Sequence, residues 1–494
     1  NNTIMKKNSQ INSITCTVIF DGSALNRDEK IGNSILSIKK LTYHGDIRPF
    51  ISKNAIRHYL FNTLNRHADW GKTPILAQGS GDKQTMQLDL TQADIISFEE
   101  LAAFGYMFTK SGEGALTRKS PIGITKAIAL SNYNQDLAFY ANHNFVHRMQ
   151  DTGKKANPNP INKEEHSGLF KLSFTLDADM IGKDSWVVDN YSFNNNGISI
   201  KIAEPQKFVF GNCEINNDED GIFVGYKINI SDTQYAIIRK DGFLVTFPND
   251  KGICSFNKDK KILTLKAELN LENEKGGKKK KFLVEEPIEN KEKDKTTYSF
   301  ECTYEPTYNE EKKTLTLELG FEKRIENLKC ENEYNINQKT NTFIFNDKKY
   351  YGCRIIAESL DTNKSQNGPF KINFILSEQK KKEIMSQVLF VIKNGLMAQS
   401  SNELNSIKPL FILVGDVKVP MPVFHADIDV KKEDGELKVI GVKDAIDNGW
   451  LLGNVYLQCN ERLSMNPVND GRVKSDWGAF LSAINLGKDE NPSN

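Results

Sequence analysis

Four charged residues in a row, Arg27, Asp28, Glu29 and Lys30, stand between small residues and Asn in GSALNRDEKIGN (Gly22–Asn33). A stretch this polar suits either a solvated loop or a cradle for an anion. Asn26 and Arg27 carry the second reading, because a guanidinium grips phosphate bidentately and an amide adds a neutral hydrogen bond. A second group offers the same chemistry. In SKNAIRHYLFNTLNRH, Ser52 is a good N-cap, and Lys53, Asn54 and Arg57 gather about the first turn of the helix it would start. Unpaired N–H groups and the positive end of the helix dipole favour an anion there. The alternative is a plain amphipathic helix with solvated Lys and Arg.

Other constellations carry less. His143 and His147 in HNFVH are spaced for one helix face, but no HExxH accompanies them and no metal site is expected. SGEGALTRKS (Ser111–Ser120) ends like a phosphate loop, yet Arg118 stands where Gly is required before Lys119, so a nucleotide P-loop is rejected. Asp177/Asp179 and Asp427/Asp429 alternate on strand-like stretches and read as solvated strand ends rather than as a metal pair. No spacing singles out a nucleophile. Neither an enzyme nor a cofactor is expected.

The elements that would position these residues follow from periodicity. INSITCTVIF reads as a strand that delivers Asn26 and Arg27. Ile56, Leu60 and Leu64 repeat at helical spacing and should face a core. SILSIKKLTYHGDIRPF between them is mixed and carries Lys39, Lys40 and Arg48. Beyond the helix come a Gly-rich loop (QGSGD, Gln78–Asp82), a helical pattern around ISFEELAAFGYMF, and RKSPIGITKAIAL (Arg118–Leu130), a strand with a basic entry. The segment from Ser131 to Ser167 mixes aromatics, Asn and Pro without a period, which in a domain this size marks function or disorder. LFKLSFTLDADMIG (Leu169–Gly182) is again a strand. From about 183 to 367 short alternating runs and Asn/Asp/Gly turns predict a β-rich insertion. Within it, Leu271–Lys295 carries 8 Lys against 7 Asp and Glu and reads as a flexible connector or hairpin tip, its KKKK run solvated. SEQKKKEIMSQVLFVIKNG is a helix capped by Ser377 and closed by Gly395, with Ile384, Val388 and Ile392 inward. KPLFILVGDV (Lys408–Val417) is a buried strand. Without the insertions the order is strand, helix, strand, strand, helix, strand: an α+β fold of the ferredoxin-like βαββαβ kind, shared with RNA-recognition motifs.

Composition sets bounds. At 494 residues, two or three compact units are expected. The net charge of +1 excludes a global pull on nucleic acid, and only a local basic strip would serve. The first 170 residues hold 20 Lys and Arg against 15 Asp and Glu. Seven scattered cysteines without a C-x-x-C point to reduced thiols in a cytoplasm rather than to disulfides or zinc. No secretory or membrane-spanning run is present, and the NNTI before Met5 reads as an appended remnant, with Met5 the natural start.

SALNRDE (Ser23–Glu29), FISKNAIRHYL, AAFGYMFTKSG, SPIGITKAIAL with YNQDLAF, HSGLFKLSFTLDADMIG and finally KPLFILVGDV occur in this order. Together they resemble the backbone subunit of the CRISPR Cascade complex, Cas family seven, in its DevR-type branch typical of subtype I-B. The resemblance covers roughly residues 10–182 and 370–460 and leaves the β-rich block unmatched. It implies a palm similar to an RNA-recognition motif over 1–182 and 368–494, with fingers at about 66–117, a thumb at about 131–167, and the insertion at 183–367. It also implies copies stacked head to tail along the crRNA, a thumb folded over the neighbour's RNA, a target DNA strand reached through guide pairing, other Cascade subunits, and a recruited helicase-nuclease that does the cutting. Under the resemblance Asn26 and Arg27 lie against the guide, Ser52, Asn54 and Arg57 contact its phosphates with Lys53 beside them, and Met107 wedges beside bases. Phe139, Tyr140 and Phe145 of the thumb stretch are candidates for the displaced base on their chemistry. Asp28 and Glu29 are expected to orient Arg27 or to pair with a neighbouring copy. A holder of any guide should grip backbone and ignore bases, which Arg, Lys, Ser and apolar wedges can do. Three rivals remain: a type III-like backbone endoribonuclease using Asp28, a generic single-stranded RNA-binding protein, and a protein whose function is dominated by the β-rich insertion as a partner-docking module.

Overall fold

Apolar residues alternate through SITCTVIF, and the strand that forms, Ser13–Ser23, is buried on both faces. Ile14, Cys16, Val18 and Phe20 face one side and Ile19 the other. A computed structural model describes residues 11–487 apart from 32–34, 79–84, 111–113, 156, 159, 195, 211–212, 230–234, 239–243, 249–253, 258–261, 266–279, 284–287, 293–294, 301–305, 332–339, 361–367 and 401–402. Ser13–Ser23 lies at the centre of the largest sheet, whose order is Lys40–Tyr43, Asp46–Ile51, Ala127–Ala129, Ser167–Leu176, Ser13–Ser23, Pro409–Val417, Leu451–Cys459, Val473–Lys474. The central pairs are antiparallel.

Two helices, Lys53–Ala68 and Glu378–Asn394, pack on each other and cover one face. Their Ile56, Leu60, Leu64, Ile384, Val388 and Ile392 share a core with the even-numbered residues of the first strand and with Phe170, Leu172 and Phe174. Each such side chain is fully or almost fully buried and contributes about 1.5–3 kcal/mol. Ser52 and Ser377 cap the two helices, accepting from the N–H of Ala55 and of Lys380. The opposite face is covered by 423–446, where Val423, Phe424, Ile428 and Ala445 pack on Phe411 and Leu413. Lys171 fastens this cover by donating to the carbonyls of His425 and Ile428 at 2.9 and 2.8 Å.

The β-rich block is rooted in the same core. Trp186, Ile198, Ile200, Phe343 and Ile355 belong to the cluster that holds the two helices. Its five-stranded sheet runs Lys183–Val188, Phe370–Ile375, Arg354–Ser359, Thr340–Phe345, Leu328–Cys330, so the pairing crosses position 368. The long strands Gly197–Phe210 and Thr314–Glu326 lead outward to further strands between 213 and 300. Much of Leu271–Lys295, and most of QGSGD, lie outside the described residues.

Three local expectations change. RKSPIGITKAIAL forms two short strands, Ile122–Ile124 and Ala127–Ala129, and Arg118 is no solvated entry. It is buried, donating to the carbonyls of Leu101, Ala102, Met180 and Lys183 and lying 3.8 Å from Asp184. ISFEELAAFGYMF is helical only over Glu99–Phe104. Gly105, at φ 66°, then runs so close to the Arg118 carbonyl that no Cβ would fit, and Tyr106–Lys110 continues as a strand paired with Gly114–Arg118. Finally, the described part of Ser131–Ser167 contains strands Asp136–Tyr140 and Ile161–Glu165 and between them a helix, His143–Gln150. These elements are too short to print a period, and the helix buries none of its residues. Among the described residues no helix is long and apolar enough to cross a membrane, and no group of three or more His, Cys, Asp or Glu could hold a metal.

Candidate nucleic-acid interface

Arg27 opens a strand, Arg27–Ile31, in a four-stranded sheet of order Asp136–Tyr140, Ile161–Glu165, Ile35–Ile38, Arg27–Ile31. The candidate thumb and the loop after the first strand, 100 residues apart in sequence, therefore share one sheet. The joint is the parallel pairing of Asn162 and Lys163 with Ile35 and Leu36. Glu164 secures it. Its carboxylate accepts from Ser37 Oγ (2.8 Å), the Ile38 N–H (3.1 Å), Lys40 Nζ (2.7 Å) and Tyr133 Oη (3.0 Å). Burial works to raise the pKa of this acid, but the Lys40 ammonium and the three neutral donors outweigh it and leave the group at about 2.

Asn26 and Ser52 meet: the Asn26 side-chain oxygen accepts the Ser52 N–H at 2.8 Å. Arg27 thus stands beside the N-terminus of helix Lys53–Ala68, and the two sequence groups form one region. Lys53 and Asn54 are exposed on its first turn. Arg57, one turn in, lies over the ring of Phe104 with its guanidinium carbon 4.7 Å from the centroid and donates to Glu100 at 3.3 Å.

The acidic partners differ from those expected. Asp28 does not orient Arg27. It pairs with Lys39 at 2.9 Å, and that hydrogen bond holds its carboxyl below the usual range. Arg27 instead donates to the Glu164 carbonyl and lies 3.4 Å from both Glu165 and Glu403, its side chain one-fifth exposed. Glu165 also accepts from Tyr140 Oη at 3.2 Å, and Lys163 sits over the Tyr140 ring.

The apolar candidates are outward-facing. Met107 is 64% exposed, Phe139 65% and Phe145 58%, with Leu137, Tyr140 and Met149 also exposed on the thumb elements. Met107 sits on a hairpin anchored from below, since Tyr106 Oη donates to Asp184 at 2.6 Å and accepts from Trp186 Nε1 at 2.6 Å. Sequence reasoning missed Glu164, Glu165 and Glu403 as organisers of the region. The KEE run, Lys163–Glu165, signalled only that the first two carboxylates need cationic or hydrogen-bonding partners, and Glu403 approaches only through the tertiary fold.

Arg27, the first turn of helix Lys53–Ala68 and the Tyr140 ring come together and suit a sugar-phosphate chain, while Phe139 faces the other side of the thumb strand and Met107 lies on a separate hairpin. A family model described as CRISPR-associated negative auto-regulator DevR/Csa2 matches residues 14–436. Among curated proteins, none matches the sequence. A solved chain of a "CRISPR RNA-guided surveillance complex, pre-nicking" aligns at 10% identity with a TM-score of 0.25, over 34% of this chain and 65% of that one. A chain of a "CRISPR RNA-guided surveillance complex" aligns at 12% identity with a TM-score of 0.23, over 34% of this chain and 51% of that one. This chain spans less than two thirds of the length of either.

Proposed function

The chain belongs to the CRISPR-associated DevR/Csa2 family, and from that premise we propose that it is the crRNA-binding backbone subunit of a type I, subtype I-B, Cascade effector. Copies polymerise along the spacer portion of the guide, which pairs with a target DNA strand. The other Cascade subunits and a recruited helicase-nuclease complete the complex in a prokaryotic cytoplasm. The subunit itself binds and does not cut, and it uses no metal or cofactor.

One observation carries the reading. The thumb strands and the Arg27 strand share a sheet that abuts the N-terminus of helix Lys53–Ala68, so Arg27, the exposed first turn of that helix and the Tyr140 ring fall in one region, with Phe139 on the other face of the same sheet. The order of strands Ala127–Ala129, Ser167–Leu176, Ser13–Ser23 and Pro409–Val417, with two helices on one face, supports an RNA-recognition-like palm beneath it. Contacts of this kind are indifferent to sequence, as a subunit serving any guide requires.

The decisive experiment is to purify the protein from cells carrying its guide RNA and to measure both the RNA and the mass of the particle. Small RNA of uniform length, and multimers that grow with RNA length, are expected. A monomer or dimer independent of RNA length would leave only a generic RNA-binding protein. Incubation with complementary RNA and divalent metal should yield no cleavage; cleavage abolished by Asp28→Ala would establish the endoribonuclease instead.

A further inference from the structure

One terminal nitrogen of Arg27 donates to the Glu164 carbonyl, and the other faces carboxylates rather than solvent. This second nitrogen lies 3.4 Å from Glu165 on the thumb strand and 3.4 Å from Glu403. Glu403 opens one strand of the small hairpin Ala398–Ser400/Glu403–Asn405. Both ion pairs are long. Nearby, Lys40–Glu164 closes to 2.7 Å and Lys39–Asp28 to 2.9 Å. One guanidinium thus faces two carboxylates, both loosely engaged through a single nitrogen, and the three charges sum to −1. The hairpin is docked independently of Arg27, since the Asn405 side chain donates to the Ser23 carbonyl at 2.7 Å and accepts from the Ser23 N–H at 3.3 Å. Glu165 has a second donor in Tyr140. Losing Arg27 would leave neither carboxylate buried and unpaired, because their side chains are 21% and 33% exposed.

We propose that Glu165 and Glu403 occupy the Arg27 guanidinium as stand-ins for phosphate, and that a backbone phosphodiester displaces them when RNA binds. The inference rests on the RNA-binding reading above and deepens it by assigning two residues to its regulation. A phosphodiester accepts two parallel N–H bonds from a guanidinium, which neither carboxylate does here. Exchange also frees the thumb strand from one of its ties to the palm, because the Glu165–Arg27 pair breaks while the Glu164 network stays. The carboxylates therefore set a threshold: stray anions and short polyanions meet a site of net negative charge, and only a ligand gripped at several neighbouring points at once exchanges with it.

The test is a double-mutant cycle read by anisotropy with a fluorescein-labelled mixed-sequence RNA of about 30 nucleotides, over a salt series. Glu165→Gln/Glu403→Gln should bind about fivefold more tightly than wild type, with a salt slope steeper by about one ion. In the Arg27→Ala background the same two substitutions should change affinity less than twofold. No gain in the first background, or an equal gain in both, overturns the exchange; an equal gain would mean a simple change of net charge. Wild-type protein that binds no RNA overturns the exchange together with the reading beneath it, and the wild-type titration tells the two failures apart. Should the double variant fold poorly, Glu403→Gln alone leaves the thumb sheet untouched and is expected to give about half the logarithmic gain.

Discussion

Asn26 accepts the backbone N–H of Ser52 at 2.8 Å, so the residue before Arg27 is fastened to the residue that caps the first helix. The Ser52 hydroxyl in turn accepts from Ala55. Asn26 is therefore a brace between two parts of the interface. Asn26→Ala should cost about 1 kcal/mol of stability by leaving the Ser52 N–H unpaired. It should also weaken RNA binding although no cation is removed. Urea denaturation and RNA titration of one preparation check both; unchanged RNA affinity would confine Asn26 to folding.

Arg57→Ala should weaken RNA binding by roughly fivefold, uniformly across guide sequences, and lower the salt slope by about one. Arg57→Lys should fall between, because it keeps the charge and loses the planar stack over Phe104. Anisotropy with several unrelated RNAs measures this. A loss confined to one sequence would contradict backbone recognition.

Phe139→Ala and Phe145→Ala remove mostly exposed rings, so the melting transition should move by no more than about 0.5 kcal/mol. Assembly should suffer instead. Mass photometry with long RNA is expected to show shorter arrays than wild type, at equal fold stability.

Glu164 titrates at about 2 in the folded chain, below its ordinary 4.5, because its donors outweigh its burial. Its contribution to stability is present above about pH 4.5 and is lost as pH falls toward 2. The full effect is at most about 3 kcal/mol. Glu164→Gln should be less stable than wild type at pH 7, and the difference should shrink between pH 5 and pH 3. Thermal melts at fixed ionic strength read the crossing.

Excision of Gly182 to Asn367 should abolish folding, since it removes Trp186, Ile198, Ile200, Phe343 and Ile355 from the main core. A shorter cut should be tolerated. Strands Gly197–Phe210 and Thr314–Glu326 remain paired out to Leu315, and Cys213 N–H meets the Lys313 carbonyl at 3.0 Å, so the chain ends at 213 and 313 are adjacent. Replacing 214–312 by a two-residue turn should leave a folded protein, judged by circular dichroism and melting.

The amino-acid sequence by itself determined the elements with long periods and clear caps: the strand before Asn26, the helices capped by Ser52 and Ser377, the strands Ser167–Leu176 and Pro409–Val417, and the β texture beyond 183. Hydrophobic periodicity and capping chemistry are local, so they can be read along the chain. The short thumb elements, the burial of Arg118 and the partners of Arg27 could not be read this way. Each depends on residues distant in sequence: Glu165 and Glu403 reach Arg27 across 138 and 376 positions. Charge type announces that a partner is needed, but only the packed sheets decide which carboxylate arrives.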